Sequence, residues 1–536
     1  MDKSGKRDLI AYFCALFILA ISIFTIFNFI VQSGWGTYHS DCSDSMYWAK
    51  ASVDAGKLVS DDFKYAALLP FGGNLIFQPF VAMFGLSMAT QMVSMCVFTV
   101  LLMVGLVLFF KSFGYSMNFA YIGTALFFIC MSASVKLREI MWQHIIYYSL
   151  GIILFLYLTA AVNYARKALD ETKGVKDVKM WVMIILTFIV GFLCGGNGMQ
   201  IILLSVFPVV MGVAGRVYLK NTSMGFKENK SSYIMIAVLG LATVAGLIGL
   251  YVVSHGVSAG YQNAYSTYSD MDNWADNLLK FPNQWYSLLG VDISGGEPLI
   301  SLDSIMVMLR IFYGLVLLIM PFVLLFRYKH LESDSLKFMV IAHLGMSAFV
   351  LFGYIFGKLS AANWRLTPVY ATAFLTCFMY AKERMGSLAK LAYPLFAMIM
   401  GFSLVVLIDV YSIPSNSIED NVNYKLAQTL KEHELTRGYA TFWHAGSVTV
   451  LSDGYTQSVS VTIDDKGVSP YYYQNERVWF EDVKGQDNYY LILSKGELST
   501  IEKSSTKWPG VLADATEVIE SEGYYIYVFD ENLPFN

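Results

Sequence analysis

The stretch YHSDCSDSMYWAKASVDAGKL, residues 38–58, holds Asp41, Asp44 and Asp54 around a lone Cys42 and two rings, Tyr47 and Trp48. It follows directly on a long apolar run. An aspartate in such a place has three uses: it takes a proton from an attacking hydroxyl, it ligates a divalent cation, or it caps a helix. Asp44 suits the cap of a helix that ends near Gly56. Capping leaves Asp41 unexplained, because it stands three residues earlier in a serine-rich turn.

Three other stretches carry polar or aromatic chemistry. KLREIMWQH, 136–144, gathers Lys136, Arg138, Glu139, Trp142, Gln143 and His144 between two apolar runs. Such a cluster reads equally well as a set of site residues and as an interfacial anchor, and His144 by itself reads as a helix-end residue. Residues 255–302 contain Trp274, Trp285 and Tyr286, which suit a segment lying in the membrane interface, as a lid or as an anchor. Rings of this kind also bind sugars. FLCGGNGMQ, 192–200, is glycine-rich, but no strand precedes it and no lysine follows it, so it is not a phosphate loop.

These stretches have to be positioned by membrane helices. The 536-residue chain is 56% hydrophobic with a mean hydropathy of +0.51, whereas soluble domains are about 45–50% apolar. The net charge of −4 comes without a basic cluster, which excludes nucleic-acid binding. Of the six cysteines, five sit in apolar runs and Cys42 sits in a loop, so neither a disulfide framework nor a zinc site is indicated. The first run, about 9–31, is too long for a signal-peptide core and reads as a retained helix.

A crossing needs about 20 apolar residues. Eleven runs qualify: 9–32, 89–110, 116–134, 144–164, 180–195, 199–215, 232–254, 303–326, 337–357, 366–381 and 391–411. A further stretch, 65–85, is uncharged but broken by Pro70, Gly72, Gly73 and Pro79. Charge bias decides its fate. If 65–85 does not cross and the N-terminus is cytoplasmic, the lysines and arginines of the loops near 111, 166–179, 216–230, 327–329 and 382–390 all face inside, as the positive-inside rule requires. The stretch is therefore expected to be interfacial or re-entrant on the outer face. The stretches 33–88, 135–143, 255–302 and 358–365 then lie outside, as does the C-terminus. Residues 413–536 read differently. NYKLAQTLKEHEL is helical in pattern, while GYATFW, SVTVLS, SVSVTI, NYYLILS and YYIYVFD read as short strands.

The first outer stretch resembles the GT-C fold of membrane glycosyltransferases, which use polyprenyl-phosphate-linked sugars. Members carry D-E-x-x-Y…A…G at this place, and DCSDSMYWAKASVDAG is similar. Counted back from Gly56 and Ala49, Asp41 falls on the family's catalytic aspartate, with Asp44 as the competing candidate and Cys42 where the family often has Glu. NWRLTPVY, 363–370, resembles the family's late R-Y-x-x-P stretch, with Leu366 in place of the usual Tyr. The resemblance makes Arg365 a ligand of the lipid phosphate, and a guanidinium fork suits that task, although a snorkelling interfacial arginine has the same look. It also suggests polar active-site groups in the second outer loop, where Lys136, Arg138, Glu139 and His144 stand.

The expectation is thus a polytopic α-helical membrane protein of about eleven helices, GT-C-like over 1–412, with an extracytoplasmic mixed α/β domain over 413–536. The expected activity is transfer of a sugar from a polyprenyl-phosphate donor to a cell-envelope glycan or lipid acceptor at the outer face of the plasma membrane. Asp41 or Asp44 would act as base. Arg365, Arg138, Lys136, Glu139, His144, Trp274 and Trp285 would bind substrate. No cofactor motif is present, and a divalent metal at the acids is compatible with the residues. The alternative is a transporter or flippase of lipid-linked sugars.

Overall fold

The computed structural model describes residues 3–172, 177–219, 229–257, 266–293, 298–382 and 389–535. Lys173, Lys176, Lys220, Lys227 and Arg384, all part of the charge-bias argument, lie outside the described residues. The chain forms two compact units. The first comprises Met1–Phe27, Phe98–Val252 and Tyr265–Ser412, and the second is built chiefly from Asn28–Val97 and Ile413–Asn536.

Each of the eleven apolar runs folds as a helix. They are α1 (Lys3–Asn28), α4 (Met88–Ser112), α5 (Met117–Cys130), α7 (Tyr147–Glu171), α8 (Val178–Gly196), α9 (Gly198–Tyr218), α10 (Lys230–Val253), α12 (Leu302–Phe326), α13 (Asp334–Ile355), α14 (Thr367–Lys382) and α15 (Ala389–Ser412). Among the described residues nine helices are long and apolar enough to cross a membrane, which makes this a multi-pass membrane protein. The runs at 116–134 and 366–381 give shorter helices, of 14 and 16 residues. α14 packs against α5, α7, α12, α13 and α15. A helix enclosed by other helices has little lipid to match, so its length is not set by the bilayer.

The stretch 65–85 yields only α3 (Asn74–Phe84), 11 residues with Pro79 inside. At about 1.5 Å per residue it falls well short of the roughly 30 Å hydrocarbon core. It does not cross.

Two short helices frame the polar stretches. α2 (Asp44–Ala55) ends at Gly56, whose φ of +61° supplies the left-handed stop. α6 (Val135–Trp142) starts on the side chain of Ser134, which accepts from the Leu137 N–H. Within 255–302, α11 (Trp274–Leu288) is a surface-type helix that carries Pro282.

The second unit holds a six-stranded mixed sheet in the order β3-β2-β1-β4-β6-β5. Its strands are β1 (Arg437–Thr441), β2 (Gln457–Asp464), β3 (Gly467–Pro470), β4 (Tyr489–Ser494), β5 (Glu517–Ser521) and β6 (Tyr524–Phe529). NYKLAQTLKEHEL gives α16 (Val422–Glu432) as expected. SVTVLS does not give a strand. It lies in α17 (Phe442–Leu451), because β1 and β2 are parallel neighbours and a crossover has to join them. A short β-branched run does not by itself tell helix from strand.

Candidate functional site

The acids of the first stretch sit in the second unit. Ser40–Ser43 forms a 3₁₀ turn that runs straight into α2. The cap position belongs to Ser43, which makes no side-chain cap bond, so Asp44 is the first helical residue and not the cap. Its carboxylate still suits the positive end of the helix.

Segment 471–480 of the C-terminal region holds α2 in place. Trp48 is buried, and its Nε1 donates to Gln474 Oε1 at 2.6 Å. The Ser60 hydroxyl donates to Glu476 at 3.1 Å, and the Gln474 N–H donates to the Lys64 carbonyl at 2.9 Å. Tyr47 meets Trp479 edge-on with centroids 5.8 Å apart. On its other side the turn meets α17, where the Ser447 N–H donates to Ser40 Oγ at 3.3 Å. Burial pushes the Asp44 carboxyl well above the usual carboxylate range. The neighbouring Asp41 charge adds to this, and the Gln474 amide opposes it. Among the described residues no three His, Cys, Asp or Glu side chains are grouped to hold a metal ion. The acid pair thus lacks a third ligand of that kind.

The second polar locus lies in the first unit. An open cavity of about 920 Å³ is lined by Lys136 and Arg138 of α6, Arg310 of α12, Asp409 of α15, Tyr286 at the end of α11, and Asn363. Its size falls within the range of small-molecule sites. Arg310 Nη2 pairs with Asp409, while Nη1 donates to the carbonyls of Ala133 at 3.1 Å and Leu289 at 2.8 Å. Gly290, at φ +77°, makes room for it: a Cβ there would stand 2.3 Å from both Arg310 Nη1 and the Ala133 oxygen. Arg138 Nη1 donates to the Ser132 carbonyl at 2.9 Å. Burial lowers the Arg138 pKa to about 10, with Asp409 opposing the shift and Arg310 adding to it. Arg138 stays charged at neutral pH.

The remaining expected residues stand around this cavity or behind it. Lys136 pairs with Glu139 at 2.6 Å and lies over the Trp364 ring, 4.8 Å from its centroid. His144 is buried 3.8 Å from Glu139, and neither ring nitrogen makes a hydrogen bond. Arg365 is buried and does not line the cavity; its Nη1 donates to the Lys358 carbonyl at 2.6 Å. Trp285 is fully buried with its Nε1 on the Gly314 carbonyl, so the ring that faces the cavity is that of Tyr286. Trp274 packs edge-on against Phe356 and donates to the Ser269 carbonyl. The sequence reading missed Asp409 and Arg310 as cavity residues, and Gln474 as the partner of α2; Tyr286 it named among the rings that suit a sugar. For Asp409 there was a signal, a carboxylate inside an apolar run.

No protein-family model matches the sequence, and no curated protein is significantly similar to it. Solved structures are similar in three dimensions. ArnT from Cupriavidus metallidurans, bound to undecaprenyl phosphate, superposes with a TM-score of 0.52 at 10% identity, covering 96% of this chain and 97% of that one. The same protein in its apo state gives 0.44 at 11% identity over 98% of both chains. The Archaeoglobus fulgidus oligosaccharyltransferase in the apo form gives 0.45 at 11% identity, over 83% of this chain and 64% of that one. The match to the lipid-bound ArnT runs over nearly the whole length of both chains, and the fold expected from the stretches 38–58 and 363–370, that of the GT-C membrane glycosyltransferases, is the fold this chain has.

Proposed function

We propose that the chain is a membrane glycosyltransferase that moves a sugar from a polyprenyl-phosphate donor to a glycan or lipid acceptor at the outer face of the plasma membrane. The observation that carries this reading is the cavity in which Lys136, Arg138 and Arg310 converge. The bound undecaprenyl phosphate in the structurally similar ArnT agrees with it.

The reaction is a direct displacement. An acceptor hydroxyl oxygen attacks the anomeric carbon, and the bond from that carbon to the phosphate oxygen breaks. The electron pair leaves with the polyprenyl phosphate, and the hydroxyl proton passes to a carboxylate. Asp41, which the resemblance places on the family's catalytic aspartate, takes the role of base, with Asp44 as the competing candidate. Fixed cations stabilise the charge growing on the leaving phosphate. Lys136, Arg138 and Arg310 supply them. Arg365 braces the segment that presents Asn363 and Trp364. Glu139 orients Lys136, with His144 behind it, and Trp285 backs the wall that Tyr286 lines. Trp274 anchors the start of α11.

The test is transfer by purified protein from a panel of radiolabelled polyprenyl-phosphate sugars to extracted cell-envelope glycans and lipids. Label moving into an acceptor fraction supports the reading. Donor carried across vesicle membranes with its sugar–phosphate bond intact would replace it with a flippase.

A further inference from the structure

The second unit contains a recess that the displacement chemistry does not use. Its mouth is formed by the half-buried Asp44, Phe442 and Gly446, and its floor by the buried Tyr47, Ser458, Gln474 and Asn475. The floor is polar and its hydrogen-bonding capacity is unfilled. An indole N–H only donates, so the contact with Trp48 fixes the Gln474 amide with its oxygen toward Trp48 and its nitrogen toward Asp44. Gln474 is 5% exposed, and its Nε2 faces the Asp44 carboxyl without making a hydrogen bond of ordinary length. Tyr47 and Ser458 are likewise buried. Thr449 lies near the one and Tyr490 near the other, but neither hydroxyl makes a hydrogen bond of ordinary length.

A buried donor without a well-formed hydrogen bond costs up to about 1–3 kcal/mol, and a polar group seated in the recess would relieve that cost. Its chemistry narrows the choice. The lining offers no lysine or arginine to pair with an anion, and among the described residues no grouped ligand set would hold a metal ion. The space at the centre admits a single oxygen-sized group. A neutral hydroxyl fits, because it accepts from Gln474 Nε2 while donating to the Asp44 carboxyl. The surroundings point to a hydroxyl carried on a saccharide. Phe442 at the mouth is flanked by Tyr473 at 5.4 Å and Tyr471 at 6.5 Å, and Trp443 beside it is 59% exposed. Aromatic faces beside polar groups suit the C–H face of a sugar ring.

We infer that this recess is a saccharide subsite, in which one hydroxyl of a neutral sugar sits between Gln474 and Asp44 while its ring packs on Phe442. The inference deepens the transferase reading and rests on it in one respect: the saccharide held there is the acceptor.

The experiment uses the full chain in detergent and saturation-transfer NMR with methyl α-glycosides of common hexoses and their monodeoxy analogues. At least one glycoside should bind, and one monodeoxy analogue of it should bind about 5- to 100-fold more weakly. Gly446→Ala is the decisive variant. Alanine is favoured in a helix, but its Cβ would stand 2.8 Å from Ser43 Oγ at the mouth. It should weaken the glycoside roughly tenfold while the protein stays folded at the binding temperature, and Phe442→Ala should weaken it too. Equal binding by all monodeoxy analogues, or by wild type and both variants, would show that the recess seats only water. Polyprenyl phosphate binding is measured on the same samples. If it persists while no glycoside binds, the subsite is wrong and the transferase reading stands.

Discussion

Trp48 and Gln474 are 426 positions apart in sequence and joined by one hydrogen bond of 2.6 Å, with both side chains buried. That bond fixes the start of α2, and with it Asp44, to the C-terminal sheet unit. Trp48→Phe leaves the Gln474 oxygen buried without a donor. The expected loss is about 1–3 kcal/mol of stability, read as a lower melting temperature in detergent. Adding Gln474→Met should restore part of it, since the orphaned oxygen is then gone. If Trp48→Phe alone melts like wild type, the bond does not hold the two segments together.

Asp41→Asn should abolish transfer while expression and donor binding stay near wild type. Loss of a general base lowers the rate by about 10²–10⁴-fold. Single-turnover rates with the labelled donor give the comparison. Full activity in Asp41→Asn together with loss in Asp44→Asn would exchange the roles of the two acids.

Asp44 also makes stability depend on pH, and the sign follows from its shift. Its folded-state pKa is raised well above 3.8, so the folded protein holds this proton at pH values where the unfolded chain has released it. Stability therefore falls as pH climbs from near 3.8 toward the raised value. Asp44→Asn removes that slope. The melting temperature of the variant minus that of wild type should grow over this range and then level off. A difference that shrinks with rising pH would mean that the folded site favours the charged carboxylate.

The cavity cations separate by role. Arg138→Ala should weaken polyprenyl phosphate binding about 10- to 100-fold, the effect of losing one charge-assisted contact. Arg365→Lys keeps the charge but loses the planar fork that reaches the Lys358 carbonyl. It should lower the melting temperature and leave the phosphate affinity within about threefold, a shift below 1 kcal/mol. The reverse pattern, with affinity tracking Arg365 and not Arg138, would return the phosphate site to Arg365.

Orientation is tested by labelling. With Cys14 replaced, a cysteine at the exposed Lys57 should react with an impermeant thiol reagent in intact cells, and one at the exposed Lys167 should not. Labelling at Lys167 alone would invert the chain in the membrane and place the acid turn inside.

The helices were legible because burial in lipid or in other helices demands long apolar runs, and every run read from the sequence became a helix. The break at 65–85 was legible for a related reason: Pro79 and the Gly72–Gly73 pair are local signals with local effects. SVTVLS was misread because a parallel crossover, a tertiary requirement, overrode a short β-branched pattern. The acid turn was visible as a turn, but the groups that surround Asp44 come from Ser458 and Gln474, more than 400 residues further on. No periodicity spans that distance. The Arg310–Asp409 pair was hidden in the same way, as two isolated charges in separate apolar runs.

The stretch 28–97 shares its compact unit with residues 413–536. Trp48, Phe63 and Tyr65 are nearly inaccessible in the finished unit. Phe63 bridges to Glu476, and Lys64 to Tyr473. A chain elongating at about 5–20 residues per second needs on the order of 20–80 s to travel from the first of these segments to the second. During that interval the rings of the early segment are already made and lack the partners that bury them. The order of synthesis runs against the order of assembly: the acid turn is made some 400 residues before the segment that packs on it.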